Sequence, residues 1–486
     1  MKNFIFLSMI SKEKSPGLSL SRRFLLLLTL FSIILSISVQ PVSIAHAQDE
    51  DLPVYIVQAG DTLSTIALRF NVSAEDLIAV NGITDANFVN VGDRLKVPGL
   101  EGISGELVSQ VIPLGVTLSS FSKMSGASPT DLVTLNKLTS PSEIIAGVKI
   151  IVPVSGSSES IVSLENFEVT TSSLSFAIQN QTSPWIVKEN NNLPNTVDLY
   201  PNEIYVRPAG IEGAVSPVPV IRDIEISPLP LVQGKTVQIA VNTGMAVDIS
   251  ASFDGQSIPV NGMNKDNTYL SMFGIHAMQS PGAYPINFRI SLPTGSVFVM
   301  DQLVLVTGGG YLSDPEIIVD EIYVDPATIL EEDVVVSQIV SVITPTMYWD
   351  GRFQSPIADP SCIVGYFGNR RSYNNGALLY YHTGMDFGVC VAENLYAYAP
   401  ANGRVVFAQS TVIRGNAVII DHGQGIYTGY WHLSEINVSP GDMLTTGDLI
   451  GTIGNTGRSA GPHLHFELIV NSIPVDPMDW LSRTYP

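Results

Sequence analysis

Residues 461–468 read Gly-Pro-His-Leu-His-Phe-Glu-Leu. Leu464, Phe466 and Leu468 alternate with His463, His465 and Glu467, the period of two that belongs to a β-strand, so both imidazoles and the carboxylate share one face. Two histidines side by side on a strand are costly unless something uses them, and a neutral imidazole nitrogen is a good donor to a divalent metal. Upstream, His382-Thr-Gly-Met-Asp386-Phe-Gly offers another imidazole and a carboxylate oxygen. Three protein donors with one position left for water make the open form of a catalytic metal site, whereas a structural site closes with four, often cysteines. A third cluster, Thr428-Gly-Tyr-Trp-His432-Leu-Ser434, lies between these two, and His422 precedes Gly423 in a turn-like setting that reads as structural. Five of the seven histidines thus fall after residue 380, and His276, without a partner motif, reads as a surface or packing residue.

The motif set extends outward from these clusters. It begins at Gly365-Tyr-Phe367-Gly-Asn-Arg370, passes through residues 382–388, and continues in the glycine-rich run Pro440-Gly-Asp, Gly447, Ile450-Gly451, Gly454 and Thr456-Gly457. Over roughly residues 353–481 it resembles the lysostaphin-type zinc metalloendopeptidases of peptidoglycan. The resemblance implies an all-β peptidase domain over 346–486 that binds one zinc ion through His382, Asp386 and His465. It implies His432 and His463 as the two catalytic histidines that are not ligands. Asn369 stands near the position where some relatives carry an asparagine that occupies the metal in a latent form. Glu467 and Asp421 are candidates for supporting the ligands, with a structural role as the alternative for each. The departure lies at 388–398, where Val-Cys-Val-Ala-Glu-Asn-Leu replaces the usual turn and introduces Cys390. Cys362 and Cys390 are either a disulfide or two buried thiols.

The first third is a repeat. Gly60, Thr62, Leu63, Asp76, Leu77, Asn81, Gly92 and Pro98 recur 55 residues later as Gly115, Thr117, Leu118, Asp131, Leu132, Asn136, Gly147 and Pro153. Each copy reads strand, helix, helix, strand, with Leu63, Ile66, Ala67 and Phe70 as one apolar helical stripe. The copies, 53–98 and 107–153, resemble the LysM module in the motif Val57-x-x-Gly60-Asp-Thr-Leu63 and in the closing Gly92-x-x-Leu95-x-Val-Pro98. The resemblance implies binding of N-acetylglucosamine-containing glycans, chiefly peptidoglycan and chitin. In the first copy it places the groove at Gly60, Asp61 and Thr62 and at Asn81, Gly82 and Ile83, extending to Thr84. The second copy diverges, with Leu114-Gly-Val-Thr117 for Ala59-Gly-Asp-Thr62 and Phe121-Ser122 for Ile66-Ala67.

The remaining chain is consistent with a mainly β, multidomain protein. Its 486 residues suggest three or four domains at roughly 150 residues each. Residues 1–47 carry five basic side chains, then the apolar run 24–39, then Ala45-His-Ala47, the pattern of a signal peptide; an uncleaved anchor is the alternative, though 16 apolar residues are short for a span. Cleavage takes the formal charge from −21 to about −25, which excludes nucleic acid and anionic lipid surfaces as partners and leaves the membrane only as a site for that segment. Residues 161–221 read as β-rich without a motif, 222–308 as an immunoglobulin-like sandwich with turns at Asp254-Gly255 and Pro281-Gly282, and 309–345 as an acidic linker in which Glu316–Val324 is an edge strand. The function expected is a secreted or envelope-bound zinc endopeptidase of cell-wall cross-links, brought to its polymer by glycan-binding modules. A non-catalytic wall-binding regulator is the alternative.

Overall fold

The computed structural model describes residues 52–85, 89–154, 164–166, 174, 177–178, 183–191, 204–206 and 221–486 apart from 264–266, 294, 296 and 391–393. The segment read as a signal peptide and most of 161–221 lie outside these residues. Among the described residues no helix is long and apolar enough to cross a membrane.

The repeat folds as two βααβ units, β1 (Val54–Ile56), α1 (Leu63–Phe70), α2 (Ala74–Asn81) and β2 (Arg94–Lys96), then β3 (Glu106–Val111), α3 (Leu118–Ser125), α4 (Pro129–Asn136) and β4 (Lys149–Val154). Thr62, Ser73, Thr117 and Ser128 each cap a helix by accepting a backbone N–H three residues on. The divergent pair Phe121-Ser122 is still buried, and the Ser122 hydroxyl satisfies itself on the Ala127 carbonyl at 2.6 Å. The modules are not beads on a string. They share one sheet in the order β2-β1-β3-β4, with β1 parallel to β3.

A short antiparallel pair of β5 (Leu164–Asn166) and β6 (Ile204–Val206), with the helix α5 (Pro184–Asn191) between them in sequence, follows. The sandwich expected over 222–308 comprises β7 (Ile221–Ser227), β8 (Leu231–Val232), β9 (Thr236–Thr243), β10 (Asp248–Phe253), β11 (Gln256–Ile258), β12 (Asn261–Met263), β13 (Thr268–Gly274), β14 (Gly282–Ser291) and β15 (Val297–Thr307). One sheet runs β11-β10-β14-β15-β8 and the other β12-β13-β9-β7, closed over a core of Val237, Ile239, Phe253, Phe273, Ile286 and Phe288.

The acidic linker expected at 309–345 is instead folded structure. Ser313 and Ile317 bridge in parallel to Arg370 and Tyr373, a 3-10 turn covers Glu321–Val324 where an edge strand was expected, and α6 spans Pro326–Val340. Asp325 caps α6 and Pro326 sits at its first position. Its β-branched residues disfavour a helix locally, but Val336, Ile339 and Val340 recur at helical spacing and pack on Phe407, Tyr427 and Trp431. Tertiary burial overrides local propensity there.

The C-terminal domain contains β16 (Ile363–Gly365), β17 (Arg370–Tyr373), β18 (Leu378–Tyr381), β19 (Met385–Gly388), β20 (Tyr396–Tyr398), β21 (Gly403–Ser410), β22 (Asn416–Gly423), β23 (Ile426–Leu433), β24 (Glu435–Ile436), β25 (Met443–Leu444), β26 (Leu449–Thr452), β27 (His463–Val470), β28 (Ile473–Val475) and α7 (Pro477–Ser482). The main sheet runs β16-β19-β27-β23-β22-β21-β25. Met385, Phe387, Tyr430, Leu464 and Phe466 fill the core on one face, so the alternate residues of the same strands face the other way. Cys362 and Cys390 form a disulfide that ties the start of β16 to the end of β19. The domain packs on the sandwich through Lys235–Asp476 at 2.7 Å and Trp480 Nε1, which donates to the Thr236 hydroxyl at 2.7 Å. His276 packs in this interface against Tyr381.

His422 is fully buried beneath Phe353, with Nδ1 on the Asn402 carbonyl and Nε2 on the Thr428 hydroxyl, both at 2.8 Å. Burial pushes it down to about 4. Between pH 6.5 and 4 the unfolded chain therefore takes up a proton that the folded chain refuses, so this contribution is whole above pH 6.5 and is lost as pH falls toward 4. A His422→Gln variant is expected to be less stable at pH 7.5, and its deficit relative to the parent is expected to shrink by about 3 kcal/mol by pH 4 in denaturant titrations. A constant deficit would contradict the assignment.

Candidate active site

Asp386 on β19 stands opposite His465 on β27, and His382 enters from the turn before β19. The close approach of these segments depends on Gly384, where a Cβ would stand 2.4 Å from the Phe466 carbonyl oxygen and 2.8 Å from His465 Nε2. Three atoms converge: His382 Nε2 and Asp386 Oδ1 at 3.0 Å, His382 Nε2 and His465 Nδ1 at 2.9 Å, and His465 Nδ1 and Asp386 Oδ1 at 2.9 Å. The outer nitrogens are claimed elsewhere. His382 Nδ1 donates to the Tyr366 carbonyl at 2.8 Å and His465 Nε2 donates to Glu467 at 3.0 Å. Two neutral imidazoles so anchored turn bare lone pairs on a carboxylate oxygen, an arrangement that is unfavourable unless a cation sits among them. The side chains show the same demand. Burial pushes His465 down, but hydrogen bonds to Asp386 and Glu467 outweigh it and the net direction is up. Burial likewise raises Asp386, and His382 and His465 reverse this to hold it well below the usual carboxylate range. Two nitrogens and one oxygen, all buried, are a donor set that fits a divalent transition metal.

His432 and His463 flank the triplet, their rings 4.9 Å apart. His432 Nδ1 donates to the Thr456 carbonyl at 2.8 Å and His463 Nδ1 to the Gly461 carbonyl at 2.7 Å, so each keeps Nε2 as an acceptor; that of His463 lies 3.5 Å from Asp386. Burial pushes both down, His432 further because His463 and His465 lie beside it, so both are neutral at pH 7. His432 is held at φ +67°, left-handed backbone that costs a β-substituted residue on the order of 1–3 kcal/mol. These side chains open into a cleft of about 550 Å³. One wall is formed by Asp314, Ile317 and Ile329 of the segment expected to be a linker. Trp431 also lines the cleft, and its Nε1 is buried without a partner among the described residues.

Residues 380–477 match the profile of peptidase family M23, and residues 55–98 and 115–153 that of the LysM domain. The chain contains an M23 peptidase domain and two LysM domains. Over 97 residues, 20% of this chain, it is 43% identical to a peptidoglycan DD-endopeptidase, ShyA, of Vibrio cholerae serotype O1 and 40% identical to the DD-carboxypeptidase/endopeptidase Mpg of Neisseria meningitidis serogroup B. In each case the match spans 22% of the relative's own length. The catalytic domain of lysostaphin from Staphylococcus simulans is 30% identical, with 27% of this chain and 89% of that one covered at a TM-score of 0.20.

Within the M23 domain, sequence reasoning left several participants unnamed. Arg371 donates to Asp386 Oδ2 at 2.7 Å, turning Oδ1 toward the histidines, and is itself held by Asp314 at 2.9 Å. Thr383 donates to Glu467. A doubled Arg370-Arg371 in so acidic a chain was the available signal. The Asn369 side chain is held by the preceding segment: its Nδ2 donates to Asp314 at 2.6 Å and its Oδ1 accepts from Leu312 N–H. Asp421 lies away from the cleft, accepting from Thr344 at 2.5 Å and Gly423 N–H at 2.7 Å. In the first LysM domain, Asp61 accepts from Tyr55, Gln58 N–H and Arg69. Asn81 clamps α2 to β2 through three backbone bonds. Thr62 and Gly82 cap α1 and α2, and Gly60 and Ile83 lie in the loops beside them.

Removing the acceptor on His465 Nε2 is expected to weaken metal binding without unfolding the domain. In competition with a chelator of known affinity, Glu467→Ala is expected to lose roughly ten- to a hundredfold in metal affinity, with Glu467→Gln recovering part of the loss. Unchanged affinity in both variants would remove Glu467 from this role.

Proposed function

We propose that this protein is an extracytoplasmic peptidoglycan endopeptidase that hydrolyses peptide cross-links, with zinc held by His382, Asp386 and His465. The observation that carries the reading is the pair of anchored imidazoles turning bare nitrogens onto Asp386 inside a cleft that His432 and His463 also line. Zinc bound there would supply Lewis-acid polarisation of a peptide carbonyl and acidification of water. The residues of the chain do the rest. Glu467 and the Tyr366 carbonyl fix the tautomers of His465 and His382. Burial keeps His432 and His463 neutral, so either Nε2 can take a proton from the attacking water and, once protonated, donate a hydrogen bond to the developing oxyanion. Both rings are prevented from turning by the Thr456 and Gly461 carbonyls. The names of the two relatives point to a DD-type cross-link as the bond, and the LysM domains to glycan capture as the means of reaching it.

The test uses residues 48–486 with zinc and purified sacculi, read as the masses of released muropeptides. Fragments are expected that disappear with chelator and with His465→Ala. His432→Ala is expected to retain zinc but lose about 10²- to 10⁴-fold in rate. Bound zinc with no release from sacculi of several wall chemistries would refute the enzyme and favour a wall-binding regulator.

A further inference from the structure

The two LysM domains differ in what surrounds the same two loops. In the first, the loop before α1 is open: Ala59 and Gly60 are exposed, and no described residue lies within 4 Å of where a Cβ on Gly60 would stand. The loop before β2 is open too, with Val91 69% exposed and no described residue within 4 Å of a Cβ on Gly92. Fifty-five residues on, every counterpart is covered. Leu114 and Ala146, standing for Ala59 and Val91, are buried and belong to the sandwich core. Ala146 pairs with Val304 as an added parallel bridge, its N–H donating to the Leu303 carbonyl at 2.9 Å and its carbonyl accepting from Leu305 N–H at 2.8 Å. The Gln302 side chain accepts from Gly115 N–H and donates to the Val116 carbonyl. A Cβ on Gly147 would stand 2.9 Å from Pro230 Cα.

We infer that the second LysM domain has exchanged glycan for the β-sandwich: it is an internal adaptor whose loops before α3 and β4 grip the sandwich, and the first domain alone leaves the loop before α1, one side of the expected groove, open to an N-acetylglucosamine polymer. This rests on the glycan reading above. The divergent Leu114 follows from it, because a loop that meets a sandwich core is served by an apolar side chain where a loop that meets water and sugar is not; Val116 instead fills the module's own core. A sugar laid along Gly115–Thr117 would collide with Met300 and Gln302 and would find the Gly115 N–H and Val116 carbonyl taken.

The experiment titrates residues 48–486 with an N-acetylglucosamine pentamer by calorimetry and follows backbone amides by hydrogen exchange. One pentamer per chain is expected. Thr84→Arg in the first domain is expected to weaken binding tenfold or more, and Thr139→Arg, its counterpart, less than twofold. A stoichiometry of two, or equal losses in both variants, would overturn the inference. The exchange measurement separates this from failure of the glycan reading. In Leu114→Asp the Leu305 amide is expected to exchange at least a hundredfold faster while Ile290 in β14 stays protected. Should that variant not fold, Gln302→Ala is expected to speed the Gly115 amide alone. No binding of pentamer or sacculi by the parent would refute glycan capture, and unchanged exchange in both variants would refute the adaptor.

Discussion

Three electron-rich atoms within 3.0 Å of one another set the constraint on which the C-terminal half depends. Such a cluster persists only if its neighbours hold each group in place and a cation balances it. The supports come from different parts of the chain. The Tyr366 carbonyl fixes His382, Glu467 with Thr383 fixes His465, and Arg371 turns Asp386. The β19–β27 register brings Asp386 opposite His465, and only a glycine at 384 lets the two segments close to that distance. The sheet thereby does more than carry ligands. Its opposite face, built on Phe387, Leu464 and Phe466, fixes the plane from which they project.

Much of this was legible because strand and helix periods are local. The alternation in residues 463–468 was sufficient to put two imidazoles and Glu467 on one face, and the constant spacing of the repeat was sufficient to delimit both modules. What was not legible depends on contacts between residues far apart in sequence. Arg371 acquires its role only when Asp314, 57 positions earlier, lies beside it. The helix Pro326–Val340 carries seven β-branched residues among fifteen and lies in a stretch that reads as linker until Phe407 and Trp431 supply a surface for one of its stripes. The glycan candidates show the converse. Asp61, Asn81 and Thr62 stand out in the repeat, yet each has a bond within its own module that accounts for its presence.

The segment from Leu312 to Val340 changes how the cleft is understood. Asp314 reaches Asn369 and Arg371 on one side, while Glu332 and Asp333 hold Arg414 on the other, where Arg414 lies over Trp431. A chain segment that leaves the sandwich therefore forms part of the wall around the metal donors before the M23 sheet begins. Through Arg371, the seating of Asp314 bears directly on the orientation of Asp386. The boundary between a connecting segment and a catalytic domain is thus set by hydrogen bonding and not by where the sequence becomes recognisable.

The same argument extends to the N-terminal half. Linking a catalytic domain to a binding module by a flexible tether raises the effective concentration over every bond within the reach of the linker. Here the first module shares a sheet with the second, the second adds a bridge to the sandwich, and the sandwich is pinned to the M23 domain through Lys235–Asp476 and Trp480–Thr236. A glycan held by the first module would then stand at a set distance and direction from the cleft. Selectivity among chemically identical cross-links in a polymer network would follow from that geometry, since only a bond presented at the matching offset from the captured strand could enter. The adaptor role of the second module is what such an arrangement requires, because a module that both gripped the sandwich and competed for sugar with the same loops would surrender one function whenever it performed the other.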